Sequence, residues 1–100
     1  MREKQNKIVW KHPGGKFRRV GSAACNEKEL LAIILGAGSR GKSAEKIAKE
    51  ILDKYGNLSD LMGVPLKDIM TIKGLKIVKT TQLAAVFEIC RRIIKHLEKK

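Results

Sequence analysis

The chain is expected to be all-α, a small bundle of about five helices, and three features of its sequence predict this. It reads twice, in two copies offset by thirty-six residues, the interval from Leu30 to Leu66. Leu30, Ile33, Gly38, Ala44, Ile47 and Ala48 of the first copy are matched by Leu66, Ile69, Gly74, Thr80, Leu83 and Ala84 of the second. Each copy has the pattern of a short apolar helix, a glycine turn with Lys or Arg beside it, and a longer helix. The second feature is that strand-like runs with period-two alternation are nearly absent. The third is that Trp10, Phe17, Tyr55 and Phe87 are the only aromatic residues. The core must then be built from Leu, Ile and Ala, which suits packed helices better than a sandwich.

The elements follow in order. Residues 1–22 form a basic N-terminal region, with Arg2, Lys4, Lys7, Lys11, Lys16, Arg18 and Arg19 against the single acid Glu3. Residues 7–10 and 16–20 flank His12-Pro-Gly-Gly15, which fits either a short β-hairpin or a disordered arm that orders on nucleic acid. Trp10 and Phe17 either stack on bases or dock this arm onto the domain. The main domain is expected over residues 23–100. Asn26-Glu-Lys-Glu29 is a capping-box pattern that opens a helix running to about Leu35. A second helix is expected from about Lys42 to Tyr55, burying Ile47, Ala48, Ile51 and Leu52. Glu50 and Lys54 stand in favourable i,i+4 order on its outer face, and Gly56 ends it. Asn57 caps a short helix through Leu61. Val64-Pro65 starts another. The last helix runs from about Ile77 to Leu97. Its rows Leu83/Phe87/Cys90/Ile94/Leu97 and Val86/Ile89/Ile93 predict a wide core face, with Cys90 as a small buried hydrophobe. Arg91, Arg92 and Lys95 fall on the exposed side.

Charge narrows the function. A net charge of +12 and a pI near 10.1 point to polyanionic partners, nucleic acid first and an acidic membrane surface second. No signal-peptide pattern and no membrane-length apolar run are visible, so a cytoplasmic protein is expected. Cys25 and Cys90 make neither a metal motif nor a disulfide framework, and no metal or cofactor is expected.

The glycine turns carry the chemistry. Glycine lets the backbone approach a ligand closely. The following helix presents unpartnered N–H groups and a partial positive charge. Arg40, Lys42, Lys76 and Lys79 lie within one turn of such a site. A competing pattern, Gly36-Ala-Gly-Ser-Arg-Gly41-Lys42-Ser43, fits the Walker A string. That loop needs a buried parallel strand before it, whereas here a helix-capping pattern precedes it, so nucleotide binding is set aside.

The spacing of Leu66, Ile69, Gly74, Leu75, Lys76, Thr80 and Leu83 resembles a helix-hairpin-helix motif. Residues 26–94 resemble the N-terminal domain of the RadC-like proteins, carried by Glu29 to Ser43, Tyr55-Gly-Asn-Leu58, Ile72-Lys-Gly-Leu75 and Glu88-Ile-Cys-Arg-Arg92. The resemblance implies a pseudo-twofold helical unit whose hairpins straddle a duplex minor groove, in DNA repair or recombination. It implies that Gly38, Ser39, Arg40, Gly41, Lys42 and Ser43 hold one strand, while Lys73, Gly74, Lys76 and Lys79 hold the other. The partner expected is the phosphate backbone of duplex or branched DNA, read largely without regard to sequence. Two residues depart from the motif: Lys76 stands where its second glycine is usual, and Thr80 where a small residue is. RadC-like proteins usually continue into a JAB/MPN metalloprotease-like domain with a His-x-His. This sequence contains only His12 and His96, so a non-enzymatic module is expected. The alternative is a protein-interaction domain that keeps the fold without binding DNA. Oligomeric state stays open.

Overall fold

The computed structural model describes residues 12–39 and 41–99. It is helical, as expected, with six α-helices among the described residues: α1 (Pro13–Val20), α2 (Glu27–Leu35), α3 (Ala44–Tyr55), α4 (Leu58–Leu61), α5 (Leu66–Ile69) and α6 (Ile77–Glu98). A 3-10 turn, Ser22–Ala24, joins α1 to α2. Among the described residues there is no sheet, and no helix is long and apolar enough to cross a membrane.

The short β-hairpin that was one expectation for the N-terminal region does not form, because residues 13–20 are helical. Proline at the first helical position has its φ already set for a helix and gives up an N–H that would have no partner there. The helix then sends Lys16 to Glu29 of α2, with Nζ at 2.9 and 3.1 Å from the two carboxylate oxygens. Residues 1–11, including Trp10, lie outside the described residues.

Local chemistry sets the helix starts. The Asn26 side chain accepts from the Glu29 N–H at 2.8 Å, and the Glu29 carboxylate accepts from the Asn26 N–H at 2.9 Å. This reciprocal pair satisfies two donors that α2 would otherwise leave open. Ser43 caps α3 through the Lys46 N–H at 3.1 Å, and Asn57 caps α4 through the Asp60 N–H at 2.8 Å. The expected Glu50–Lys54 pair is replaced by longer-range contacts. Lys54 donates to Thr71 Oγ1 at 3.2 Å and Tyr55 donates to the Asp68 carbonyl at 3.2 Å. The end of α3 is thereby tied to α5 and the turn after it.

Glu29 is held below the usual carboxylate value of 4.5, first by the Asn26 N–H and then by Lys16. A depressed folded value means that ionised Glu29 contributes to stability above about 4.5. That contribution fades as pH falls through the lower folded value. The wild-type chain is expected to melt higher than Glu29→Gln by a constant margin at neutral pH. The margin should shrink below 4.5 and vanish in stronger acid, as thermal melts across that range would show.

The core draws on both halves of the repeat. Leu31, Ala32 and Leu35 of α2 meet Ile47, Ala48 and Ile51 of α3, and Leu61, Ile69, Leu83 and Phe87 close around them. Ile47 and Leu83, matched in the repeat, are both fully buried. The expected core face of α6 is correct only for its first half. Thr80, Leu83 and Phe87 are buried and Val86 and Cys90 half-buried. Ile89, Ile93, Ile94 and Leu97 stand exposed, because α6 runs on past the elements that cover its start.

Candidate nucleic-acid interface

The first glycine turn joins α2 to α3. Gly36 ends α2, its N–H donating to the Ala32 and Ile33 carbonyls at 3.0 and 3.2 Å. Ser39 and Lys42 then pair backbone to backbone, at 2.9 and 3.0 Å. Gly41 has φ +77°, a conformation that side chains disfavour. Arg40 lies outside the described residues. Gly38 sits inside this loop: a Cβ there would lie 2.2 Å from the Lys42 carbonyl oxygen and 2.7 Å from the Ala44 nitrogen.

The second glycine turn joins α5 to α6. Ile72 and Leu75 on either side of it are buried, so the turn is pinned to the core. Gly74 has φ +101°, and a Cβ there would lie 2.8 Å from Ile47 Cδ1 and 2.9 Å from Ser39 Oγ. The second turn therefore rests against the first. Side by side, they form one composite edge.

The cations on that edge divide into two kinds. Lys42, with a side chain only 14 % exposed, donates to the Lys73 carbonyl at 3.0 Å and pairs with Glu50. Lys79 donates to the Leu35 carbonyl at 2.6 Å and to the Ala37 carbonyl. Both reach from one turn to the other and brace them. Lys73 and Lys76 are exposed, and their ammonium groups hold no partner among the described residues. An open concavity of about 390 Å³ lies beside them, lined by Ser39, Gly74, Lys76, Val78, Lys79 and Gln82.

The two helix starts differ in the same way. The first turn of α3 is capped by Ser43 and carries Glu45. The first turn of α6 has neither a side-chain cap nor an acidic residue, with Lys76 at the capping position. Its N–H groups and dipole are left facing outward. Thr80, where a smaller residue was expected, is fully buried and donates its hydroxyl to the Lys76 carbonyl at 2.8 Å.

Of the ten expected site residues, nine are described. The structure brings Gly38, Ser39, Gly41, Lys42 and Ser43 together with Lys73, Gly74, Lys76 and Lys79. It turns the Lys42 and Lys79 ammonium groups inward. The acceptors of Lys79 lie 44 and 42 residues earlier in the chain, which no local pattern signals. The Walker A string is preceded by helix α2 and not by the strand that a P-loop follows. Among the described residues no group of three His, Cys, Asp or Glu side chains is placed to hold a metal ion.

The family profile described as UPF0758 N-terminal matches residues 9–81. The chain belongs to the UPF0758 family. It is 37% identical over 82 residues to the UPF0758 protein of Cupriavidus pinatubonensis, covering 82% of this chain and 36% of that protein. The UPF0758 protein of Cellvibrio japonicus is 42% identical over 82 residues, covering 82% of this chain and 37% of its own length. One from Neisseria gonorrhoeae is 40% identical over the same length, covering 82% of this chain and 36% of its own. The chain thus spans little more than a third of the curated UPF0758 relatives it matches, in keeping with the N-terminal region that the RadC-like resemblance implied. No solved structure matches it.

Proposed function

We propose that this domain is a non-enzymatic DNA-binding module that grips phosphates largely without regard to sequence and serves DNA repair or recombination. One observation carries the reading: the two glycine turns lie side by side and open onto the uncapped start of α6, flanked by Lys73 and Lys76. An oxygen-rich anion fits both the outward N–H groups and the two exposed ammonium groups. The net charge of +12 adds long-range attraction for such a polymer. Gly38, Ser39, Arg40, Gly41, Lys42 and Ser43 supply the edge facing one strand, and Lys73, Gly74, Lys76 and Lys79 that facing the other. Backbone amides and lysines carry no base information, so shape is read in duplex or branched DNA. The location that goes with this work is the cytoplasm.

The test is fluorescence anisotropy of a labelled duplex and a four-way junction at several salt concentrations. Binding whose logarithm falls with log salt at a slope of about −3 to −5 is expected, matching roughly four or five neutralised phosphates. No binding at low salt would sink the DNA reading. The alternative of a protein-interaction domain is favoured by one observation, the exposed apolar side of α6.

A further inference from the structure

The first glycine turn borders a second concavity, of about 620 Å³, that shares no lining residue with the one beside Lys76. Gly36, Ala37 and Gly38 line it with backbone and a single methyl group. Arg18 of α1, Glu45 of α3 and His12, which precedes α1, supply its polar groups. Helix α1 has no fully buried residue, and the Lys16–Glu29 ion pair ties it to α2. Its place in the fold is as a wall of this concavity more than as part of the core.

We propose that this concavity receives an unpaired nucleobase of a DNA strand whose backbone lies on the first turn, an inference that rests on the DNA reading. Charge and shape choose the occupant together. Half-buried Glu45 and exposed Arg18 line the same space, and neither side chain has a hydrogen-bond or ion-pair partner among the described residues. A phosphate would be repelled by the carboxylate, and a cationic group by the guanidinium. The two together suit a neutral group that carries both donors and acceptors. A nucleobase is such a group. Its exocyclic amine or ring N–H donates to Glu45, its ring or carbonyl acceptor takes an N–H of His12, and its face stacks on the Arg18 guanidinium plane. The methyl and backbone wall leaves room for a flat ring, and the volume lies in the range of pockets that hold small ligands, about 300–1,000 Å³.

Position ties the concavity to the strand. Gly38 lines it and also belongs to the turn whose backbone faces phosphate in the DNA reading, so a base attached to that backbone is beside its mouth. A regular duplex keeps its pairing edges occupied, and a base that is already unpaired costs least to bring out of the stack. The preferred DNA is therefore one that carries a bulged or single-stranded nucleotide next to duplex. Every base has a donor and an acceptor on its pairing edge, so the site adds a structural preference and stays tolerant of sequence.

Fluorescence anisotropy of the full chain on three labelled DNAs tests it: a blunt duplex, the same duplex with one bulged nucleotide, and that duplex with an abasic bulge. The abasic site keeps the backbone distortion and removes only the base. Wild type is expected to bind the bulged base about tenfold more tightly than the abasic bulge. Arg18→Lys keeps the charge and loses the stacking plane, so it should shrink that ratio while leaving blunt-duplex affinity unchanged. Glu45→Ala should shrink the ratio too, yet raise blunt-duplex affinity, because it removes a negative charge. A change in charge alone would not move the two readouts apart. Equal binding of the two bulges by wild type would overturn the inference, leave the concavity to a peptide and spare the DNA reading. A ratio untouched by both variants would also overturn it. No binding of any of the three DNAs at low salt would overturn this inference and the DNA reading together.

Discussion

Gly38→Ala is expected to be the most damaging single methyl addition in either turn. The new Cβ would lie 2.2 Å from the Lys42 carbonyl oxygen and 2.7 Å from Ser43 C and Ala44 N. All three are backbone atoms, so no side chain can rotate away. Relief requires opening the Ser39–Lys42 pairing and moving the start of α3, and with it Ile47, Ala48 and Ile51 in the core. Overpacking that displaces core backbone costs about 3 kcal/mol or more. For a domain of this size, that is a fall in Tm of roughly 12 °C or more. Gly41→Ala is the control. Its φ of +77° is unfavourable for alanine, but nothing lies within 4 Å of the added carbon, so about 1–2 kcal/mol is expected. Gly74→Ala falls between, since its nearest neighbours are the ends of the Ile47 and Ser39 side chains, which can shift by a few tenths of an ångström. Thermal melts of the three variants should rank Gly38→Ala below Gly74→Ala, and that below Gly41→Ala. Equal melting of the Gly38 and Gly41 variants would mean that the first turn is not closed as described.

What could be read in advance was whatever depends on neighbours in sequence. Asn26 with Glu29, Gly56 and Asn57 announce helix ends because a cap is made within three or four residues of itself. The repeat pointed to core positions, and its matched residues Ile47 and Leu83 are both buried. Three features escaped for one reason: each is decided by residues distant in the chain. Lys42 and Lys79 stand beside glycines as phosphate-binding lysines do, yet carbonyls supplied by the other turn or by the end of α2 capture their ammonium groups. Pro13 stands beside two glycines that suggest a hairpin, and Glu29 of α2 supplies a partner for the helix instead. Apolar periodicity along α6 says that a face will be covered, but not by what. Its distal half has no cover within the described chain.

The division of the lysines makes the second large prediction. Lys73→Ala and Lys76→Ala are each expected to weaken DNA binding and to reduce the magnitude of the salt slope by about one. Both should leave the melting temperature within about a degree of wild type, because surface changes without partners cost little. Lys73→Glu combined with Lys76→Glu replaces attraction by repulsion at the open start of α6 and should abolish binding at moderate salt. Lys42→Met and Lys79→Met are expected to behave in the opposite way. Removing the Lys79 ammonium group leaves the Leu35 and Ala37 carbonyls at the end of α2 without that donor. Removing that of Lys42 does the same to the Lys73 carbonyl and to Glu50. A cost of about 1–2 kcal/mol each follows from losing charge-assisted hydrogen bonds that are only partly shielded from water. DNA affinity would change through loosening of the edge, with the salt slope preserved. Measuring Tm and salt slope on the same four single variants separates the two kinds of lysine. If Lys42→Met lowered the slope and spared the Tm, its inward contacts would have to be released on DNA. The first turn would then be a second phosphate grip and not a brace for the other.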